Sequence, residues 1–168
     1  MKLRWMKSVL VCGMLGIGLL LALCGCGGNT PPESTGTVAV VNPISQSDLG
    51  QMEEEIGLRL TLQEEEFFQL SVRRFALDPV MFEVEFLWDG REYTFRAQKG
   101  TEERDISGMY YEWPHSLVEG GVEQYWNDEG QGICLWQETG LTFCVSMSEN
   151  AAPEALGQMY LRLADCRE

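Results

Sequence analysis

The clearest alternation of apolar and polar residues runs from Val80 to Ala97, broken only by Asp89-Gly90. That pair favours a two-residue type I′ turn, so the pattern predicts a hairpin of Val80–Trp88 and Arg91–Ala97. The turn fixes the register. Phe82, Val84 and Phe86 face Ala97, Phe95 and Tyr93 on the core side. Glu83 faces Arg96 and Glu85 faces Thr94 on the other side, where an exposed pair contributes little. Leu58–Leu62 alternates in the same way and predicts a half-buried strand. Phe67–Phe75 predicts another, after the charged turn 63–66 and before a turn at Asp78-Pro79. Met109–Trp113, stopped by Pro114, and Val122–Trp126, preceded by Gly120-Gly121, are predicted strands. Ile133–Gln137 and Leu141–Met147 form the last hairpin.

Two segments carry helical periodicity instead. Ser45–Ile56 places Leu49, Met52 and Ile56 on one face, with Ser45 or Ser47 able to cap it and Gly57 placed to end it. The acidic run Glu53-Glu54-Glu55 is read as a solvated face. Pro153 suits a first helical turn, and Ala155, Leu156, Met159, Tyr160 and Leu163 make an apolar stripe down to Cys166. The predicted fold is α+β: one antiparallel meander sheet of about seven strands between a short N-terminal helix and a C-terminal amphipathic helix. No internal repeat or second domain is visible.

The first residues change the picture. A basic start (Lys2, Arg4, Lys7) precedes an apolar run from Val9 to Leu23 and then Leu23-Cys24-Gly25-Cys26. This order is that of a secretory signal. It resembles a bacterial lipobox, with Leu23 three residues before the cysteine and Gly25 just before it; Cys24 in the middle place departs mildly from the pattern. The resemblance implies a signal peptide over 1–25 and lipidation of Cys26. It also implies anchorage at the cell membrane by diacylglycerol, with a fatty acid such as palmitate, and a chain on the extracellular side. Two acyl chains suffice for stable anchoring. The competing reading is an uncleaved transmembrane helix, since Val9–Gly28 is long enough to span. Residues 26–37 follow as a lipidated cysteine and flexible tether with no apolar residue to bury, and 38–168 as a single domain opening on Val38–Val41.

The formal charge of the chain is −14. Loss of the three cations of residues 1–25, where no acid stands, makes it −17. Such a balance excludes nucleic acid, which requires a basic stripe, and argues against a domain lying flat on an anionic membrane. A cationic partner or calcium would suit it, and so would plain solubility in a charged envelope.

From Asn42-Pro43-Ile44 onward the chain also resembles uncharacterised domains of Gram-positive lipoproteins and of the outer parts of some anti-sigma factors. The similar features are the acidic helix ending Ile56-Gly57, the segment Leu58–Leu62, Glu85-Phe86 with Tyr93-Thr94-Phe95-Arg96-Ala97, and Asp105-Ile106-Ser107-Gly108-Met109-Tyr110-Tyr111-Glu112-Trp113. Gln63 stands where that family has a proline. The resemblance implies an envelope protein and transfers no catalytic residue.

Catalytic constellations are absent from the sequence. His115 is the only histidine, and no Gly-x-Ser-x-Gly elbow, glycine-rich phosphate loop or Cys-x-x-Cys accompanies it. Neither a metal nor another cofactor is expected. Asp105 and Glu112 are the best carboxylates for a glycosidase-like pair, and the loop Asn127–Gly132 offers oxygens that calcium could use, although a hairpin turn explains it equally.

Cys134, Cys144 and Cys166 remain after the signal. A three-residue loop Glu138-Thr139-Gly140 would set Cys134 opposite Cys144 in a non-hydrogen-bonded pair, within disulfide reach, and that bond is predicted. A two-residue Thr139-Gly140 turn would put the sulfurs on opposite faces. The aromatics Tyr110, Tyr111, Trp113, Trp126 and Trp136 occupy both faces of their strands. One face must be core. The other is a candidate surface for a protein, peptide or glycan partner, unless a helix or the tether covers it. The sequence thus predicts a lipid-anchored, non-enzymatic binding or sensing module. The alternatives are a small carboxylate-based envelope hydrolase and an accessory subunit of a membrane complex.

Overall fold

A computed structural model describes residues 43–168. The predicted signal peptide, Cys26, the tether and Val38–Val41 lie outside the described residues.

The chain runs β1 (Ile44–Gln46), α1 (Leu49–Ile56), β2 (Phe68–Phe75), β3 (Met81–Trp88), β4 (Arg91–Lys99), β5 (His115–Glu119), β6 (Val122–Trp126), β7 (Gly132–Glu138), β8 (Leu141–Met147) and α2 (Pro153–Asp165). Among the described residues all eight strands pair antiparallel in one sheet of order β1-β2-β3-β4-β8-β7-β6-β5. The expected α+β class and single antiparallel sheet are therefore present. The connectivity is not one continuous meander. Two four-strand meanders meet at β4 and β8, because β8 is buried along its whole length and needs a central place.

The β3–β4 hairpin has the predicted register, with Phe86 opposite Tyr93, Val84 opposite Phe95 and Glu83 opposite Arg96. Asp89 and Gly90 both take positive φ, 49° and 71°, as a type I′ turn requires. Helix α1 begins later than its periodicity suggests. Asp48, not Ser45 or Ser47, is the N-cap, and its Oδ1 accepts from the Gln51 N–H at 2.8 Å. Ile44–Gln46 belongs to the sheet instead. Gly57 ends α1 at φ 76°, where a side chain would be strained. The acidic run is not simply solvated: Glu55 pairs with Arg74 at 2.8 Å and Glu53 with Arg59 at 2.9 Å.

Leu58–Leu62 is not a strand. Leu58 and Leu60 are buried, but the only ladder contact is a bridge from Leu60 to Arg167. Alternation here reports one buried side, not a paired edge. Met109–Trp113 is likewise irregular, and the strand beside β6 lies after Pro114, as β5.

The sheet has two covered faces. On the first, Phe82, Val84, Phe95, Phe143 and Val145 meet α1 and α2 through Met52, Leu156, Met159 and Leu163, all nearly without solvent contact. Trp136 stacks on Phe143 with centroids 5.2 Å apart and meets Tyr160 edge-on at 5.1 Å. The Arg167 guanidinium lies 4.8 Å from the Phe143 ring. On the second face a smaller cluster gathers Met81, Ile133, Leu135 and Cys144 around Ile106. Ile106 comes from residues 100–114, the crossover from β4 to β5, which straps that face.

The predicted Cys134–Cys144 disulfide is corrected by the register of the last hairpin. Glu138 pairs with Leu141, so the loop is the two residues Thr139 and Gly140, at φ 53° and 80°. Cys144 then lies opposite Leu135, and Cys134 opposite Val145. Their side chains point to opposite faces, and both thiols are free, as is Cys166.

Candidate functional site: an aromatic strap across the second face

The strap is fastened from below. Glu83 on β3 is only 2% exposed, yet it stands between two arginines. Arg73 on β2 approaches its Oε1 at 2.5 Å, and Arg96 on β4 approaches its Oε2 at 2.6 Å. A buried carboxylate is tolerated when paired in this way. Arg96 then reaches upward: its guanidinium donates to the backbone carbonyls of Ile106, at 3.1 Å, and Ser107.

The strap holds its own shape above these bonds. The Ser107 N–H donates to Asp105 Oδ1 at 2.9 Å, and the Met109 N–H donates to Ser107 Oγ at 3.0 Å. Such side-chain bonds replace a strand ladder. Gly108 sits directly over Arg96 at φ 66°. A Cβ there would collide with the Arg96 guanidinium, so both conformation and space call for glycine.

The strap presents aromatic rings outward. Tyr110 is 98% exposed and Tyr111 48% exposed. Tyr111 meets the half-buried Trp113 edge-on at 5.8 Å. A hollow of about 160 Å³ beside Tyr110 is walled by Leu77, Met81, Gln98 and Asp105. A second hollow of about 190 Å³ lies beside Trp113, walled by Arg104, Glu123, Tyr125 and Leu135. Arg104 pairs with Glu123 at 2.5 Å. The Tyr125 hydroxyl donates to the same carboxylate at 2.8 Å, and that bond, with burial, raises the tyrosine's pKa.

Of the five aromatics singled out from the sequence, the strap carries Tyr110, Tyr111 and Trp113, of which Tyr111 and Trp113 touch. Trp126 lies on the helix side at the end of β6, half-buried and stacked on His115 at 5.6 Å. Trp136 is 3% exposed and belongs to the core, so it is no surface residue; the one-residue change in the last hairpin does not alter its face, but α2 and Arg167 cover it.

The other chemistries are used locally. His115 Nε2 lies 2.8 Å from Asp128 Oδ1. In the loop 127–132, Asn127 Oδ1 accepts from the Glu129 and Gln131 N–H groups, at 3.1 and 3.0 Å. Those are the bonds of a turn. Among the described residues no three of His, Cys, Asp and Glu cluster as metal ligands. Asp105 and Glu112 are both exposed, and Asp105 serves the turn of the strap.

Sequence reasoning missed the fastening itself. Glu83 and Arg96 were visible as an opposite pair, but the third partner Arg73 and the covering strap made a buried network of what reads as a surface contact. Gly108 in Asp105-Ile106-Ser107-Gly108 was the available signal. No protein-family model matches this chain, and neither a curated protein nor a solved structure is significantly similar to it.

Proposed function

We propose that this chain is a lipid-anchored, non-enzymatic binding or sensing module on the outer face of the cytoplasmic membrane, and that the strap carries its ligand contact. The single observation behind the site is Tyr110, 98% exposed on a segment pinned by half-buried Arg96 and flanked in sequence by Tyr111 and Trp113. Rings held out on a rigid base present contact area with little ordering left to lose on binding. The anchor reading rests on Leu23-Cys24-Gly25-Cys26 and its basic and apolar lead. No helix among the described residues is long and apolar enough to cross a membrane. The acidic balance favours a neutral or cationic ligand, a glycan or a basic peptide, over an anionic one.

Two measurements test the two halves of this reading. Fatty-acid labelling of the intact chain should be lost in Cys26→Ala; label kept on that variant removes the anchor. The detergent-solubilised chain is then titrated with soluble cell-wall glycan fragments and, separately, with an oligolysine peptide. One of them should change tryptophan fluorescence, and the change should vanish in Trp113→Phe. A response that persists in Trp113→Phe, or no response to either, removes the strap as the site.

A further inference from the structure

The sheet ends in an unusually plain edge. β5 is the last strand of the described sheet, and Ser116, Leu117, Val118 and Glu119 are all exposed. It carries no lysine, bulge or internal proline, the devices that usually blunt an edge. Leu117 is 43% exposed and Val118 62% exposed, one on each face of the strand.

The hydrogen-bonding phase of this edge follows from its turn. Gly120 and Gly121, at φ 60° and 86°, form the loop to β6, and Glu119 pairs with Val122. The pair that closes a two-residue hairpin is hydrogen-bonded, and pairs alternate beyond it. Glu119, Leu117 and His115 therefore turn their backbone groups inward to β6. Ser116 and Val118 turn theirs outward, two N–H and two C=O groups facing solvent.

We infer that β5 pairs antiparallel with β5 of a second copy of this chain, centred on Leu117, to join the two sheets edge to edge. The sequence His115-Ser116-Leu117-Val118-Glu119 is complementary to its own reverse in that register. Ser116 meets Val118 of the other copy twice, which uses all four outward donors and their carbonyls. Leu117 meets Leu117 across the two-fold axis. His115 stands opposite Glu119 at both ends, so an acid on this acidic domain faces an imidazole and not another acid. Neighbouring registers in the same phase are poorer. One sets Val118 against Pro114, which has no N–H to give. The other sets Glu119 against Leu117 and runs Ser116 onto Gly120. An unrelated peptide could also add to such an edge, but it would not need this palindromic arrangement.

Site-specific cross-linking of the full-length chain in intact cells, under copper-phenanthroline oxidation, tests the pairing. Of the six native cysteines, Cys134, Cys144 and Cys166 are at most 6% exposed and give little background; the unsubstituted chain measures what Cys12, Cys24 and Cys26 contribute. The Leu117 pair is non-hydrogen-bonded, with Cα atoms about 4.5 Å apart, within the range a disulfide tolerates. Leu117→Cys should give a covalent dimer several-fold above Val118→Cys, although Val118 is the more exposed residue. Adding Val118→Pro to Leu117→Cys should abolish the dimer, because it removes an outward N–H while the ladder to β6 stays intact. Val118→Cys dimerising as well as Leu117→Cys would show random collision and overturn the proposal. So would the absence of a Leu117→Cys dimer, its persistence with Val118→Pro, or cross-linking to a species of another mass.

Discussion

On the helix side of the sheet, Phe95, Phe143 and Trp136 stack ring on ring and Leu156 and Met159 close over them. On the strap side, Arg73, Glu83 and Arg96 stand in a row across three strands beneath backbone carbonyls of Ile106 and Ser107. The first cover is two amphipathic helices that bring their own apolar stripes. The second is an irregular segment, and an irregular backbone needs its polar groups answered. Arg96, held in place by Glu83, supplies two of those answers. The difference explains why one face is closed by apolar stripes and the other by a segment held on polar bonds, with its rings turned outward.

The largest effect should come from removing the one acid of that row. Glu83→Ala leaves half-buried Arg96 without its carboxylate and Arg73 with Glu85 alone; a buried pair broken on one side costs about 3–5 kcal/mol. That equals the loss from emptying the opposite core with Phe143→Ala, about 3–5 kcal/mol. Urea unfolding of both variants measures the two faces on one scale. A loss below about 1 kcal/mol for Glu83→Ala would mean that water reaches the arginines, and the strap side would then not be a second interior.

The thiols give a matched pair of probes, one for each face. Burial pushes the Cys134 thiol, on the helix side, up to about 12. Cys144, on the strap side, is pushed well above its ordinary value by burial, with Asp105 raising it further and Arg96 opposing. Above the unfolded value of 9.0 the unfolded chain loses these protons while the folded chain keeps them. Stability is therefore complete below that pH and falls as pH rises, by roughly 1 kcal/mol per thiol at one unit above it. Cys134 stops contributing to the slope near 12. Urea unfolding from pH 8 to 11 should show the decline, and Cys134→Ala and Cys144→Ala should each flatten it. A flattening by Cys134→Ala alone would show that the strap side is wet.

The two closed hairpins show what could be read in advance and what could not. Asp89-Gly90 admits one loop length, so every pair of β3 and β4 follows from it. Glu138-Thr139-Gly140 admits two, and glycine is left-handed in both. The longer loop spares Thr139 a positive φ, which a β-branched residue rarely takes. The chain nevertheless uses the shorter loop, with Thr139 at φ 53°. It keeps seven consecutive pairs with β8, and those pairs outweigh one strained residue. Both helices were legible from their stripes. The strap was not: Met109–Trp113 alternates like a strand, but its neighbours are a serine hydroxyl and an arginine, contacts that no periodicity encodes. β5 was hidden for the opposite reason, since a five-residue edge buries too little to leave a pattern.

A smaller effect should separate the strap from the rest of the second face. Gly108→Ala places a methyl group against the Arg96 guanidinium and forces an L-residue to φ 66°. The conformational part alone costs about 1–2 kcal/mol. The loss should be local. Amide hydrogen exchange at Ser107 and Met109 should quicken, while exchange in β3 and β4 keeps its protection. Equal acceleration in both would mean that strap and sheet open as one unit, and the contrast between fastening and floor would be lost.

The smallest effect on stability belongs to the two residues proposed to carry the ligand contact. Tyr110 touches solvent on almost every side, and Tyr111 keeps about half its surface exposed. Neither fastens the strap: its bonds run through Asp105, Ser107 and Arg96. Replacing both by alanine should change the unfolding free energy by no more than about 0.5 kcal/mol, as exposed substitutions do. Tyr111 makes an edge-on approach to Trp113, so Tyr111→Ala should account for what little is measured. The same double variant should abolish the fluorescence response to whichever of the glycan fragment and the oligolysine peptide binds. Stability kept and response lost would separate the rings from the fold. A loss of several kcal/mol would show that the tyrosines pack as part of the cover, and the strap would then be a wall and not a binding surface.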